Sequence, residues 1–188
     1  MRMRSFISID IDDKTIVERI IAIEQLINRS GALLKLVEPE NLHITLKFLG
    51  EIDIKDVQLI KMVIEKYAKN YEPFSISIKE LGAFPTINSP RVIWVGIQEN
   101  REKIIELAQK ISSELEKLGF RKEERTFHPH ITIARVKRYN SELKRILREN
   151  QEIDIGIIEV KSIKIKKSTL TSQGPIYTTL VEVPLGSQ

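Results

Sequence analysis

The sequence predicts an α+β fold of two pseudo-symmetric lobes, each a mainly antiparallel sheet with helices on its outer face and a groove between the lobes. Three observations point there. Several short segments alternate apolar and polar residues, as half-buried strands do, and others repeat apolar residues every three or four positions, as amphipathic helices do. These segments follow the same order in both halves: strand, helix, strand. The third observation is a repeat, because His43-Ile44-Thr45-Leu46 returns 87 residues later as His130-Ile131-Thr132-Ile133.

Taken in order, residues 4–11 place Ile7, Ile9 and Ile11 on one face of a strand. Asp12 or Asp13 caps a helix over 14–29 with the stripe Ile16, Ile20, Ile23 and Ile27, and Gly31 ends it. Pro39-Glu40-Asn41 reads as a turn before the first His-x-Thr strand, 42–49, which Gly50 closes. A helix over 55–69 buries Val57, Ile60, Ile64 and Tyr67, and a strand over 73–81 alternates Phe74, Ile76 and Ile78. The stretch from Gly82 to Pro90 is rich in turn residues and reads as a loop. The pattern then restarts: a strand over 91–98, a helix over 101–118 with Ile104, Leu107, Ile111 and Leu115, and the second His-x-Thr strand over 128–137. A short helix over 141–149 and a hairpin of two strands, 157–167 and 175–184, complete the chain. No low-complexity segment or flexible linker separates the halves, so one bilobal unit over 1–188 is expected.

An apolar fraction of 41% supports a real core, and no stretch approaches the ~20 apolar residues of a membrane span. The start lacks the pattern of a signal peptide, so a cytoplasmic location with no membrane association is the default. There is no cysteine, which excludes disulfides, thiolate metal sites and a cysteine nucleophile. Thirty basic residues against 26 acidic leave a net charge of +4, a mild bias toward polyanions. Basic residues cluster over Lys161–Lys167 and Arg121–Arg125.

In a strand, residues i and i+2 share a face, so each tetrad sets an imidazole beside a hydroxyl: His43 with Thr45, His130 with Thr132. Imidazole is the side chain that offers both protonation states near neutrality, and two across a groove can act as acid and base in one turnover. Thr45 and Thr132 can donate hydrogen bonds to the non-bridging oxygens of a phosphate. Such a site suits hydrolysis or transesterification of a phosphodiester. No carboxylate cluster suggests a two-metal phosphatase, and neither a Walker run nor a dinucleotide fingerprint is present. His128 is close enough to His130 to raise a metal site, but no third nitrogen or sulfur ligand lies nearby in sequence; a strand-entry residue bonded to backbone is the simpler reading.

The paired tetrads, with Pro90-Arg91-Val92-Ile93-Trp94 opening the second half and His128-Pro129-His130-Ile131-Thr132-Ile133-Ala134-Arg135 closing it, resemble the two-histidine (2H) phosphoesterase superfamily. The likeness is greatest to the bacterial and archaeal RNA 2′,3′-cyclic phosphodiesterases, also called 2′-5′ RNA ligases. It extends to Phe6-Ile7-Ser8-Ile9-Asp10 and Glu38-Pro39-Glu40-Asn41-Leu42-His43, and so covers nearly the whole chain. The resemblance implies hydrolysis of RNA 2′,3′-cyclic phosphate ends to 2′-phosphates with no metal and no cofactor. It also implies that His43 is the proton donor to the leaving 3′ oxygen, His130 the acceptor that activates water, and Thr45, Thr132 and Arg135 the phosphate-binding residues. The near symmetry of the motifs leaves donor and acceptor open on the sequence alone. The alternative is the same site run as a ligase, joining the 2′,3′-cyclic and 5′-hydroxyl ends of tRNA halves. A third reading is a non-catalytic RNA-binding module that uses only the basic clusters. A monomer is expected.

Parity sharpens three positions. Arg135 lies five residues after His130, so an ideal strand sends it to the opposite face unless a bulge or strand end intervenes. Lys47 has the parity of His43 and Thr45 and is a candidate for substrate binding at the groove. Phe6, opposite in parity to Ile7 and Ile9, is a candidate platform for a base, with core packing as its alternative. Trp94 reads as core.

Overall fold

The computed structural model describes residues 1–186. The chain opens with β1 (Arg2–Asp10), which buries Ile7 and Ile9 beneath the sheet. Asp13 caps α1 (Lys14–Asn28), its carboxylate accepting from the Ile16 N–H at 3.0 Å and satisfying a donor that a helix start leaves free. There follow β2 (Leu33–Leu36), a single 3₁₀ turn (Pro39–Asn41), β3 (His43–Asp53), α2 (Asp56–Ala68), β4 (Phe74–Thr86), β5 (Ser89–Ile97) and α3 (Arg101–Lys117). The second tetrad opens β6 (His130–Arg138), and α4 (Ser141–Glu149), β7 (Asp154–Val160), β8 (Ser162–Thr171) and β9 (Gly174–Pro184) complete the described residues.

All nine strands join one antiparallel sheet in the order β7-β4-β5-β6-β3-β1-β8-β9, with β2 lying against β6. The order is palindromic about the seam between β6 and β3: β5 matches β1, β4 matches β8, and β7 matches β9. At the seam Ile44 stands opposite Ile131. The two strands then part. β2 takes the free flank of β6, with Leu36 opposite Ala134, and the loop before β6 takes the free flank of β3, where the Phe48 N–H donates to Glu123 Oε1 at 3.2 Å.

Helices cover one face of the sheet and cross between the halves. α1 and α4 pack beneath the β6 half, whereas α2 and α3 pack beneath the β3 half. One continuous aliphatic core runs between the layers from Ile7 and Ile20 to Ile163 and Val183. Because Ile131 is wholly buried at the seam, truncating it to alanine is expected to cost about 2–5 kcal/mol in urea unfolding. No helix among the described residues is long and apolar enough to cross a membrane.

Four stretches differ from the sequence expectation. β3 does not close at Gly50 but runs on to Asp53, paired with the start of β1. β2 is a four-residue strand too short for its alternation to stand out. The expected loop over 82–90 is instead the β4–β5 hairpin, paired from Ile78–Ile97 to Thr86–Ser89. Gly82 does not mark a turn there. The Trp94 indole lies against it, and a Cβ on Gly82 would come within 2.4 Å of the ring. The tail forms three strands, not two, because β7 joins β4 at one edge of the sheet while β8 and β9 build the other.

Candidate active site

Both His-x-Thr strands carry a bulge one residue after the threonine. In β3, Ser8 pairs with Thr45 but Ile7 with Lys47, so Leu46 is the extra residue. In β6, Trp94 pairs with Thr132 but Ile93 with Ala134, so Ile133 is the extra residue. A bulge reverses the face of every residue that follows it. Arg135 thereby rejoins His130 and Thr132 on the face away from the helices, while Ile131, Ile133, Ala134 and Val136 remain buried.

The same device overturns the reading of Lys47. It turns away from the groove into the helix layer and is 1% exposed. Its Nζ donates to Ser112 Oγ at 2.9 Å and to the Arg121 carbonyl at 2.8 Å, tying α3 and the following loop to β3. Burial lowers its pKa, with Glu123 and Glu116 opposing the shift. Phe48 stands on the groove face instead. It is 55% exposed and pairs with Phe6 across β1, so it holds in the first half the place that Arg135 holds in the second.

Each imidazole is pinned by the carbonyl two residues before it. His43 Nδ1 lies 2.7 Å from the Asn41 oxygen and His130 Nδ1 lies 2.5 Å from the His128 oxygen. A carbonyl only accepts, so each Nδ1 carries the hydrogen and each Nε2 is left for chemistry. His43 Nε2 is 2.9 Å from Thr45 Oγ1. Aromatic rings hold the imidazoles from the sides. Phe6 and Tyr177 lie 5.0 and 5.4 Å from His43, and Phe84 and Trp94 lie 5.1 and 6.3 Å from His130, centroid to centroid. Two imidazoles with Nδ1 tied to a carbonyl, His43 with its Nε2 on a hydroxyl, can each take up and deliver one proton through Nε2 beside a small anion.

A sequence profile described as the AKAP7 2′5′ RNA ligase-like domain matches residues 4–185. The chain belongs to this family, a branch of the 2H phosphoesterases. A relative from Archaeoglobus fulgidus named RNA 2′,3′-cyclic phosphodiesterase is 42% identical over 179 residues, spanning 95% of this chain and 98% of that one. A relative of the same name from Methanothermobacter thermautotrophicus is 37% identical over 182 residues, spanning 96% and 97%. Among solved structures, a Thermus thermophilus protein superposes with a TM-score of 0.84 at 25% identity, covering 99% of this chain and 100% of its own. E. coli LigT complexed with 3′-AMP superposes with a TM-score of 0.80 at 24% identity over the full length of both chains, so the two share a fold.

The electrostatics of the site are unequal across the seam. Burial pushes the His43 pKa down, the Asp10 carboxylate raises it, and Lys166 and His130 lower it further. Burial also pushes His130 down, and its charged neighbours, His128 and Arg135, both add to the fall. Asp10 stands opposite His43 in the register and accepts from Lys164 and Lys166, each at 2.9 Å. Burial works to raise the Asp10 carboxyl, but the two ammonium groups outweigh it and hold it below the usual range.

Sequence reasoning did not single out Asp10, Phe84 or Tyr177, and it offered Lys166 only as one of the Lys161–Lys167 cluster. Phe84 was hidden in the expected loop, and Tyr177 and Lys166 belong to a tail whose strands return to the site only in three dimensions. Phe6 lies on the groove face against His43 although it is largely buried, so platform and packing are not exclusive there. Trp94 is buried as expected, but on the motif face beside the histidines rather than among the aliphatic residues. His128 stands two residues before β6, as a strand-entry residue does, but its Nδ1 is buried without a partner and its ring lies among Phe84 and Trp94.

Proposed function

We propose that this chain opens RNA 2′,3′-cyclic phosphate ends to 2′-phosphomonoesters by acid–base catalysis between His43 and His130. The observation that carries the reading is the pair of carbonyl-pinned imidazoles on the two seam strands, each with Nδ1 occupied so that Nε2 is the nitrogen left to exchange a proton. Full-length relatives named for this activity support the substrate class.

In this scheme neutral His130 takes a proton from water through Nε2 as the oxygen attacks phosphorus. The bond from phosphorus to the 3′ oxygen breaks, and protonated His43 gives its Nε2 proton to that oxygen. The two histidines exchange protonation states and reset through solvent. The Asp10 carboxylate beside His43 favours its protonated form and Arg135 beside His130 favours the neutral one, while Lys166 acts against the first. Protonation of His43 also makes its Nε2 a donor, which frees the Thr45 hydroxyl hydrogen for a non-bridging oxygen. Thr132 and Arg135 serve the phosphate from the other half.

The family's ligase-like description supports a second reading, in which the same groups keep their roles and a 5′-hydroxyl RNA end, such as that of a tRNA half, replaces water as the nucleophile. One experiment tests both. An oligonucleotide ending in a 2′,3′-cyclic phosphate is incubated with the protein in chelator, with and without a 5′-hydroxyl partner. A 2′-phosphate product is expected in both reactions, and a 2′-5′ junction in the second marks ligation. An intact cyclic phosphate would overturn the proposal.

A further inference from the structure

Asn41 makes two hydrogen bonds that point in different directions. Its carbonyl accepts the His43 Nδ1–H at 2.7 Å, and its side-chain Nδ2 donates to the Pro175 carbonyl at 3.1 Å. Pro175 is the second residue of β9, next to the turn of the β8–β9 hairpin, where the Gln173 carbonyl also accepts from Lys35 Nζ at 3.3 Å. β8 pairs with β1 only from Lys164 to Lys167, so the hairpin beyond Lys167 overhangs its neighbour strand. Its fixed points are therefore at the tip, on Asn41 and Lys35. Two residues past Pro175, Tyr177 presents an edge to His43 at 5.4 Å and to Phe6 at 4.9 Å. Asn41 is itself 8% exposed, and a buried amide is kept only where its donors are met.

We infer that Asn41 is a positioning residue that clamps the tip of the β8–β9 hairpin, so that Tyr177 is held against the His43 imidazole and its Nε2 stays aimed at the phosphate. The Nδ1 bond fixes one point of the ring but leaves it free to rock about that point. Phe6 and Tyr177 supply the walls that stop the rocking, and Tyr177 is in place only while the tip is held. The inference rests on the proposed reaction for its kinetic arm alone. The charged and titratable groups facing His43 are Asp10 from β1, Lys166 from β8, with Lys164 behind Asp10, His130 from β6 and Tyr177 from β9.

The test compares the wild-type chain with Asn41→Leu, which keeps the main-chain carbonyl and the side-chain size but has no donor. The three imidazoles are titrated by NMR, and kcat and KM are measured on a 2′,3′-cyclic phosphate oligonucleotide. Loss of the clamp admits water to His43, so its titration midpoint rises toward that of ordinary imidazole while His128 and His130 stay where they were. The kcat falls about ten- to a hundredfold, more than KM changes. Tyr177→Ala is expected to move His43 in the same direction, and the double variant no further. Unchanged His43 titration and kcat in Asn41→Leu overturn the inference. If Asn41→Leu does not fold, seen as all three imidazoles titrating together, Tyr177→Ala decides by the same readout. A wild-type chain that leaves the cyclic phosphate intact sinks the proposed function, and the NMR titration still decides the clamp.

Discussion

Alanine at His130 is expected to reduce turnover of an RNA 2′,3′-cyclic phosphate about 10²–10⁴-fold, and alanine at His43 to do the same. Neither change empties the aliphatic core, so urea unfolding should stay within about 1 kcal/mol of wild type. The double variant should be little worse than either single one, because the two groups act on one transition state. The pH dependence follows from the buried environment of both rings. The base works only when neutral and the acid only when protonated, so the rate rises through one pKa and falls through the other. Burial lowers both in the empty site. The bell for kcat/KM should therefore sit at lower pH than two ordinary imidazoles would give. A bound phosphate anion favours the protonated form of its neighbour, so the bell for kcat is displaced to higher pH. Steady-state profiles of the two parameters check this, and coincident bells would place the titrating groups elsewhere.

Much of the architecture was legible because it is written in periodicity. α4 occupies the expected residues 141–149, and α1, α2 and α3 lie within one residue of their expected bounds at either end. The strands beside the site were harder to read, for one physical reason. A bulge costs a single residue and leaves no mark in the apolar pattern when the extra residue is itself apolar, as Leu46 and Ile133 are. Period-2 counting past such a point is wrong by one face. That error placed Lys47 in the groove and hid Phe48, while the counterpart bulge supplied the face change that Arg135 required. The hairpin over 82–90 was missed because Gly82 and Pro85 usually signal turns. Here one accommodates an indole ring, and the other sits at a register shift opposite Pro90. The walls around His43 and His130 come from strands far apart in the chain, and local pattern cannot report which distant strands become neighbours.

Replacing Glu24 with glutamine is expected to abolish a pH dependence of stability that the wild-type chain carries above neutrality. Glu24 occupies the apolar stripe of α1, one residue after Ile23 and four after Ile20, and is 4% exposed. Its Oε2 is buried without a hydrogen-bond partner. Burial pushes its pKa from 4.5 up to about 8; the Val37 N–H opposes the rise and the Glu38 carboxylate adds to it. Between those two values the folded chain keeps a proton that the unfolded chain has released, so stability falls as pH rises, and the loss is complete above about 8. The buried imidazoles act in the opposite sense. Their contribution is lost as pH falls through about 6.5, where the unfolded chain binds the extra protons, and both proteins share it. The difference between the wild-type chain and Glu24→Gln therefore isolates Glu24. From about pH 6.5 to 8 the wild-type chain should lose roughly 2 kcal/mol relative to Glu24→Gln, which is neutral throughout at that position. Urea unfolding at the two pH values decides the matter. An equal loss in both proteins would mean that the carboxylate is already ionised at pH 6.5 and has found solvent or a cation despite its place beneath the sheet.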